Sequence, residues 1–84
     1  MIKDWIINWL EKNSNVTKEI IKKNLNENYF NQGWVDSFTF INFISDLEEH
    51  FQITFTNSEF QDKNFSTING LTEIIKIKKN NETV

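Results

Sequence analysis

The sequence predicts an all-α protein, a four-helix bundle with three main helices, one short helix and a long loop between the first and second. Two observations carry this prediction. Apolar residues recur at intervals of three and four over three long segments, which is the spacing of one helix face. The chain also has no proline and only two glycines among its 84 residues, so few positions interrupt helices or favour hairpins.

The first predicted helix covers residues 2–12. Its apolar residues fall on one stripe, with charged and amide side chains between them; they are Ile2, Trp5, Ile6, Trp9 and Leu10. We interpret Trp5 and Trp9 as core residues, and a partner-binding face is the alternative. The turn-favouring residues 13–15 end this helix.

The connection to the next main helix is predicted to be mostly loop. Thr17 can cap a short helix or an ordered loop that ends near residue 23. Residues 24–34 are polar and rich in asparagine, and we expect their aromatic side chains, Tyr29, Phe30 and Trp34, to hold the loop to the core. Gly33 suits a backbone conformation that other residues avoid.

The strongest helical pattern spans residues 36–51. Its apolar residues cluster in a narrow arc when placed 100° apart; they are Phe40, Phe43, Ile44, Leu47 and Phe51. Phe38 and Ile41 widen this stripe on one side. Asp36 or Ser37 is predicted to cap the helix, and acidic residues (Asp46, Glu48 and Glu49) fall on the outer side of its last turns.

The C-terminal third is predicted to hold an extended loop, a short helix and the last main helix. Ile53 and Phe55 alternate with polar residues and are expected to point inward. Residues 57–62 predict one or two helical turns opened by an Asn or Ser cap, and residues 67–78 a helix capped by Ser66 or Thr67. We expect residues 1–79 to form a single domain and residues 80–84 a disordered tail.

Composition excludes several classes of site. The net charge is −3 and every basic residue is a lysine, which argues against nucleic-acid binding because arginine is the usual reader of phosphates and guanine. With no cysteine and a single histidine, neither a disulfide framework nor a side-chain metal centre is predicted. No apolar run approaches the length of a membrane span, and no secretory signal is visible, so we expect a soluble, cytoplasmic protein.

Three blocks of sequence stand in an order that narrows the function. Residues 33–38 read Gly-Trp-Val-Asp-Ser-Phe, residues 47–53 read Leu-Glu-Glu-His-Phe-Gln-Ile, and residues 65–71 read Phe-Ser-Thr-Ile-Asn-Gly-Leu. Together they resemble the acyl and peptidyl carrier proteins. In that family the first block is the attachment site, the second is the end of the second helix, and the third is the start of the last helix. The agreement in order and spacing extends over residues 16–75. An Asp-Ser-Phe tripeptide alone would be weak, but three blocks in register are a strong signal.

The resemblance implies a modified serine. A phosphopantetheinyl transferase would move a 4′-phosphopantetheine arm from coenzyme A onto Ser37, and Asp36 would help that transferase engage the site. The arm's thiol would then carry an acyl or aminoacyl group as a thioester. Further implied partners are a loading ligase and downstream acyltransferase or synthase enzymes.

The chemistry of Ser37 agrees with this implication. A serine in the first turn of a helix lies beside unpaired backbone N–H groups at the positive end of the helix dipole, which favours a phosphodiester. The alternative is that Asp36 and Ser37 serve only as a helix cap, as most Asp-Ser pairs at helix starts do.

The surface of the second main helix supplies predicted partner contacts. Glu48 and Glu49 match acidic residues that such carriers present to basic patches, although a solvated helix face explains them equally well. Phe38 and Ile41 either form an apolar patch at the base of the arm or are buried against the preceding loop. Thr39 and Asn42 replace residues that are often acidic in fatty-acid carriers, and Phe38 replaces the commoner leucine. These departures favour a specialised stand-alone carrier. The bulky aromatic residues of the predicted core around Phe43, Leu47 and Phe51 favour small or aminoacyl cargo over a long acyl chain.

We therefore predict a monomeric carrier protein for a biosynthetic pathway, without catalytic activity of its own. His50 has no catalytic neighbours in the sequence and is interpreted as a surface or half-buried residue. The alternative function is a small helical adaptor that docks a partner through Trp5 and Trp9 or through Phe38 and Ile41.

Overall fold

The computed structural model describes residues 1–82, with side chains through residue 80. Five α-helices follow one another in this part of the chain: α1 (Ile2–Asn13), α2 (Lys18–Lys22), α3 (Ser37–Phe51), α4 (Asn57–Gln61) and α5 (Ile68–Glu82). A 3₁₀ turn, Lys63–Ser66, joins α4 to α5, and residues 1–82 contain no strand. The all-α prediction is confirmed. Within the same residues no helix is long and apolar enough to span a bilayer.

One apolar core holds the three long helices together. Each contributes a stripe of side chains, and the most completely buried include Ile6 and Leu10 of α1, Phe43 and Leu47 of α3, and Ile68, Leu71 and Ile75 of α5. Burying an aliphatic or phenylalanine side chain of this size contributes about 1.5–3 kcal/mol. The helical periodicity of the sequence is therefore the pattern of core packing.

The long connection between α2 and α3 is attached to the start of α5. Tyr29 is fully buried, its backbone N–H donates to the Ser66 carbonyl at 2.9 Å, and its hydroxyl donates to the Phe65 carbonyl. The backbone N–H of Asn69 donates to the Leu25 carbonyl at 3.0 Å. Burial raises the pKa of the Tyr29 hydroxyl well above its usual value, so it remains a donor. The prediction of a loop held by its aromatics is confirmed for Tyr29 and Trp34.

The cap of α4 lies one residue earlier than predicted. Thr56, rather than an Asn or Ser, accepts the Glu59 backbone N–H at 3.2 Å, while the Glu59 carboxylate accepts the Thr56 N–H at 2.8 Å. This reciprocal pair satisfies two of the N–H groups that a helix start leaves free. Ile53 and Phe55 point inward, as predicted, in the extended segment before it.

The last helix is longer than the predicted 67–78. Thr67 caps it, as predicted, by accepting the Gly70 N–H at 2.9 Å, and it continues through Glu82. The ammonium group of Lys79 donates to the Phe51 carbonyl at 2.8 Å and so ties the later turns of α5 to the end of α3. Residues 80–82 of the expected tail are thus helical, and residues 83–84 lie outside the described residues.

Candidate functional site: an exposed serine at the start of α3

The start of α3 is built around the carboxylate of Asp36. This residue has an extended backbone and caps the helix, with Oδ1 accepting the Thr39 backbone N–H at 2.7 Å. That bond is the main cause that lowers the pKa of Asp36, and a further hydrogen bond from the Thr39 hydroxyl lowers it more. Asp36 is therefore an exposed anion with a fixed orientation at the N-terminus of the helix.

Ser37 is the first residue of α3 and is exposed. The 15-residue helix that follows it directs the positive end of its dipole toward this position. The first backbone N–H groups of a helix lack partners within the helix, and here the Asp36 carboxylate takes that of Thr39, which leaves the earlier ones for an anion on Ser37. A phosphodiester on the Ser37 hydroxyl would thus stand in solvent beside favourable dipoles, and the residues present fit a phosphopantetheine arm.

The segment that leads into Ser37 is fixed by buried side chains. Trp34 and Val35 are buried, and the Ser14 hydroxyl, at the end of α1, donates to the Trp34 carbonyl. Gly33 has φ +77°, in the left-handed region that favours glycine, as the sequence predicts. The chain therefore enters α3 on a defined path, which places Ser37 on the surface in one orientation.

Two large apolar side chains next to Ser37 face solvent. Phe38 is 75% exposed and Ile41 is 64% exposed. Of the two predicted alternatives, the structure shows the apolar patch and excludes burial against the preceding loop. Phe38 and Ile41 thus widen the apolar stripe of the sequence without joining the core, which α3 contacts through Phe43 and Leu47.

The predicted acidic contacts lie far from Ser37. Glu48 is 11 residues along the same helix, which corresponds to about 16 Å. It is half-buried, and its Oε2 accepts the Phe55 backbone N–H at 2.9 Å, whereas Glu49 is exposed. The structure thus brings together Asp36, Ser37, Phe38 and Ile41, but not Glu48 and Glu49.

Two polar residues in the later turns of α3, Asp46 and His50, have partners within the protein. The Asp46 carboxylate accepts the Trp9 indole N–H at 2.7 Å. His50 is exposed, and its ring stacks on Trp5 with centroids 4.9 Å apart. Trp9 is buried and Trp5 half-buried, which confirms their interpretation as core-facing residues. Among the residues that the structure describes, no three His, Asp or Glu side chains are placed to hold a metal ion.

Thr39 is the site residue that sequence reasoning missed. It was noted only as a departure from acidic residues in fatty-acid carriers, yet it donates to Asp36 from both its backbone N–H and its hydroxyl. The signal was present in the sequence, since the N–H that an Asp cap accepts lies two or three residues after it.

Comparisons with known proteins agree with this geometry. The family described as the phosphopantetheine attachment site matches residues 4–75. A curated acyl carrier protein homolog from Mycoplasmopsis pulmonis is 34% identical over 77 residues, which is 92% of this chain and 94% of that protein. No solved structure matches the chain significantly. Proteins of this kind hold 4′-phosphopantetheine covalently and are generally not catalysts themselves. The chain belongs to the phosphopantetheine-binding family of acyl carrier proteins.

Proposed function

We propose that the chain tethers a biosynthetic intermediate as a thioester on a 4′-phosphopantetheine arm attached to Ser37. The observation that carries this proposal is the exposure of Ser37 in the first turn of α3, in a chain of the phosphopantetheine-binding family. The arm raises the effective concentration of its cargo at each partner's active site. The carrier supplies no catalytic group, and the proposal places it, as a monomer, in the cytoplasm.

Loading of the arm is a phosphoryl transfer. The Ser37 oxygen attacks the phosphorus next to the pantetheine in coenzyme A and forms a new P–O bond. The bond between that phosphorus and the bridging oxygen of the diphosphate breaks, and adenosine 3′,5′-bisphosphate leaves. The hydroxyl proton passes to a base of the phosphopantetheinyl transferase. Asp36, held by Thr39, is the exposed anion that this enzyme would meet beside Ser37.

The thioester depends wholly on the arm. The chain contains no cysteine, so the arm brings the thiol to which an acyl or aminoacyl group is joined. A ligase would load that thiol, and an acyltransferase or synthase would remove the cargo. Phe38 and Ile41, exposed beside Ser37, are the proposed contact with these enzymes. A second proposed contact, farther from Ser37, is formed by Glu49 and the carboxylate oxygen of Glu48 that does not bind Phe55.

The packing of the core favours small or aminoacyl cargo and therefore a specialised pathway. Phe43 is fully buried, with its ring centroid 4.8 Å from that of Trp9 and 5.8 Å from that of Tyr29. Admitting a long acyl chain would require these rings to separate, with a loss of buried apolar contact. We expect amide hydrogen exchange of α3 and α5 to be the same with an aminoacyl or a long acyl group on the arm. Added core protection by the long chain alone would contradict this.

Intact mass tests the attachment directly. The purified protein is incubated with coenzyme A and a promiscuous phosphopantetheinyl transferase, and we expect the mass of one phosphopantetheinyl group to be gained. Ser37→Ala should gain nothing. Ser45→Ala is the matched control, because Ser45 is an exposed serine in the middle of the same helix, and it should be modified like the wild type.

A second function has one observation in its favour. The exposure of Phe38 and Ile41 would also suit a small adaptor that docks a partner without any arm. Failure of several transferases to modify the folded wild-type protein would favour the adaptor, since the fold would then present a cap rather than an attachment site.

A further inference from the structure

A groove opens next to the start of α3. It lies between the turn that follows α1 and the segment that leads into α3, and its volume is about 500 Å³. The residues that matter here are Asn15 and Ile20 on one wall, Gln32 and Gly33 on the other, and Asp36 with Thr39 at the end nearest Ser37.

We propose that this groove holds the phosphopantetheine arm of the same chain when the arm is not engaged by a partner. The inference rests on the proposed function, because it takes Ser37 as the attachment point. Asp36 directly precedes Ser37, and Thr39 follows it by two residues. Both line the groove, so the groove begins within two residues of the attachment point, at the start of α3.

The chemistry of the groove matches that of the arm. Pantetheine contains two secondary amides, a hydroxyl and a pair of geminal methyl groups. Asn15 and Gln32 are exposed carboxamides, and each offers two N–H donors and one carbonyl acceptor to such amides. Ile20 is 48% exposed and gives the methyl groups an apolar contact. A mixture of amide groups with the aliphatic side chains of Val16 and Ile20 fits this ligand better than it fits a fatty chain.

The wall of the groove that contains Gln32 and Gly33 is fixed by backbone hydrogen bonds. The Gln32 N–H donates to the Asn28 carbonyl at 3.1 Å, and the Gly33 N–H donates to the Phe30 carbonyl at 3.0 Å. A Cβ at Gly33 would have no atom within 4 Å, so the backbone there faces open space. A wall that is already ordered loses little entropy when it binds a ligand.

The charge at the end of the groove is also accommodated. The Asp36 carboxylate accepts the Thr39 N–H and hydroxyl, so it is turned toward the helix rather than across the groove. The phosphodiester itself remains at the helix start. Because the arm is tethered, its effective concentration is in the millimolar range, and a few weak hydrogen bonds suffice to hold it.

The absence of cysteine makes the test clean. In the loaded protein the arm carries the chain's only thiol, so a maleimide nitroxide labels the end of the arm alone. In ¹H–¹⁵N spectra we expect the largest loss of amide signal at residues 13–16 and 32–34. In a label-free comparison, the side-chain amides of Asn15 and Gln32 should shift between the apo and the arm-loaded protein.

Variants separate the groove from the rest of the surface. Replacing both groove carboxamides, Asn15→Ala with Gln32→Ala, should remove most of the signal loss at residues 13–16. The matched control is Asn42→Ala with Gln61→Ala, which removes two exposed carboxamides outside the groove and should leave the pattern unchanged.

Two different failures are distinguishable. An arm that attaches, as the intact mass shows, but broadens chiefly α4 or the Phe38 and Ile41 patch, or broadens all amides evenly, overturns the groove alone. A protein that gains no mass from coenzyme A overturns the proposed function, and with it this inference.

Discussion

The two ends of α3 reverse the usual roles of apolar and polar side chains. At the start, Phe38 and Ile41 are apolar and exposed. At the end, polar groups are committed to the fold: the Glu48 carboxylate accepts the Phe55 N–H, and the His50 ring stacks on Trp5. Gln52 then ends the helix in a left-handed conformation, with φ 56°.

Within one helix, the first turns carry the proposed partner contacts and the last turns carry side chains that hold the fold together. Exposed apolar groups cost solubility and add little to the stability of the monomer, so the exposure of Phe38 and Ile41 is consistent with the proposed contact with partner enzymes. Acidic residues near the far end are often interpreted as contacts for basic partners, but Glu48 also satisfies a backbone donor of its own chain. Exposure and hydrogen bonding, rather than residue type, distinguish the two roles.

The largest expected effect comes from a matched pair of phenylalanines in α3. Phe43→Ala should lower the free energy of unfolding by about 3–5 kcal/mol, because Phe43 is fully buried and its loss leaves a cavity. Phe38→Ala should change it by no more than about 0.5 kcal/mol, since Phe38 is 75% exposed. Urea unfolding measures both. Similar losses in the two variants would mean that the start of α3 is also structural.

The next effect concerns the two adjacent glutamates. Glu48→Ala leaves the partly buried Phe55 N–H without its partner and should cost about 1–3 kcal/mol in urea unfolding. Glu49→Ala, at an exposed neighbour, should cost no more than about 0.5 kcal/mol. Glu48→Gln keeps an acceptor at the same place and should recover most of the loss. Equal effects of the two alanine variants would remove the distinction drawn for this end of the helix.

A kinetic effect is expected at the other end. Truncation of both apolar side chains, Phe38→Ala with Ile41→Ala, should reduce kcat/KM for arm transfer by about tenfold, the scale of one good interface anchor. Asn42→Ala is the control on the same exposed surface and should transfer at the wild-type rate. The rate is followed by intact mass against time. An unchanged rate in the double variant would show that the transferase does not use this patch.

The smallest effect is a pH dependence of the cap. The hydrogen bonds from Thr39 lower the pKa of Asp36, so the unfolded chain binds its proton at a higher pH than the folded chain does. The charged cap therefore stabilises the fold above the ordinary carboxyl pKa, near 4, and this contribution is lost as the pH falls through the lower folded pKa. An Asp36→Asn variant lacks it.

The measurement is the difference in urea midpoint between wild type and Asp36→Asn as a function of pH. We expect the difference to be constant above about pH 5 and to shrink below about pH 4. Hydrogen bonds from Thr56 and Lys78 also lower the pKa of Glu59, against an opposing effect of burial, but Glu59 is common to both proteins and cancels. A difference that grows on acidification would contradict the role of the Asp36 charge.

Sequence reasoning succeeded where one periodic stripe decides the structure. The three long helices, the Thr17 and Asp36 caps and the inward-facing Ile53 follow from local patterns. The Thr56 cap was also predictable, because Thr-Asn-Ser-Glu at residues 56–59 has the spacing of a capping box. The prediction of an Asn or Ser cap was therefore wrong although the sequence contained the correct signal.

Other features depend on contacts between distant parts of the chain. The path of the loop before α3 is one of them, because no periodic pattern of side chains fixes it. The loop's position is set in turn by hydrogen bonds from Tyr29 to Ser66 and Phe65. The hydrogen bond from the Phe55 N–H to the Glu48 carboxylate also depends on such a contact, because it forms only where the chain turns back after α3.

The attachment of the long connection to the start of α5 implies an order of events during synthesis. Tyr29 finds its partners only after residues 65 and 66 have emerged, more than thirty residues later. Until then the segment that presents Ser37 lacks the hydrogen bonds of Tyr29, which are part of what fixes its path. A transferase that recognises the folded surface around Ser37 would modify complete, folded chains and not nascent ones. Attachment of the arm would then occur only on carriers that have folded.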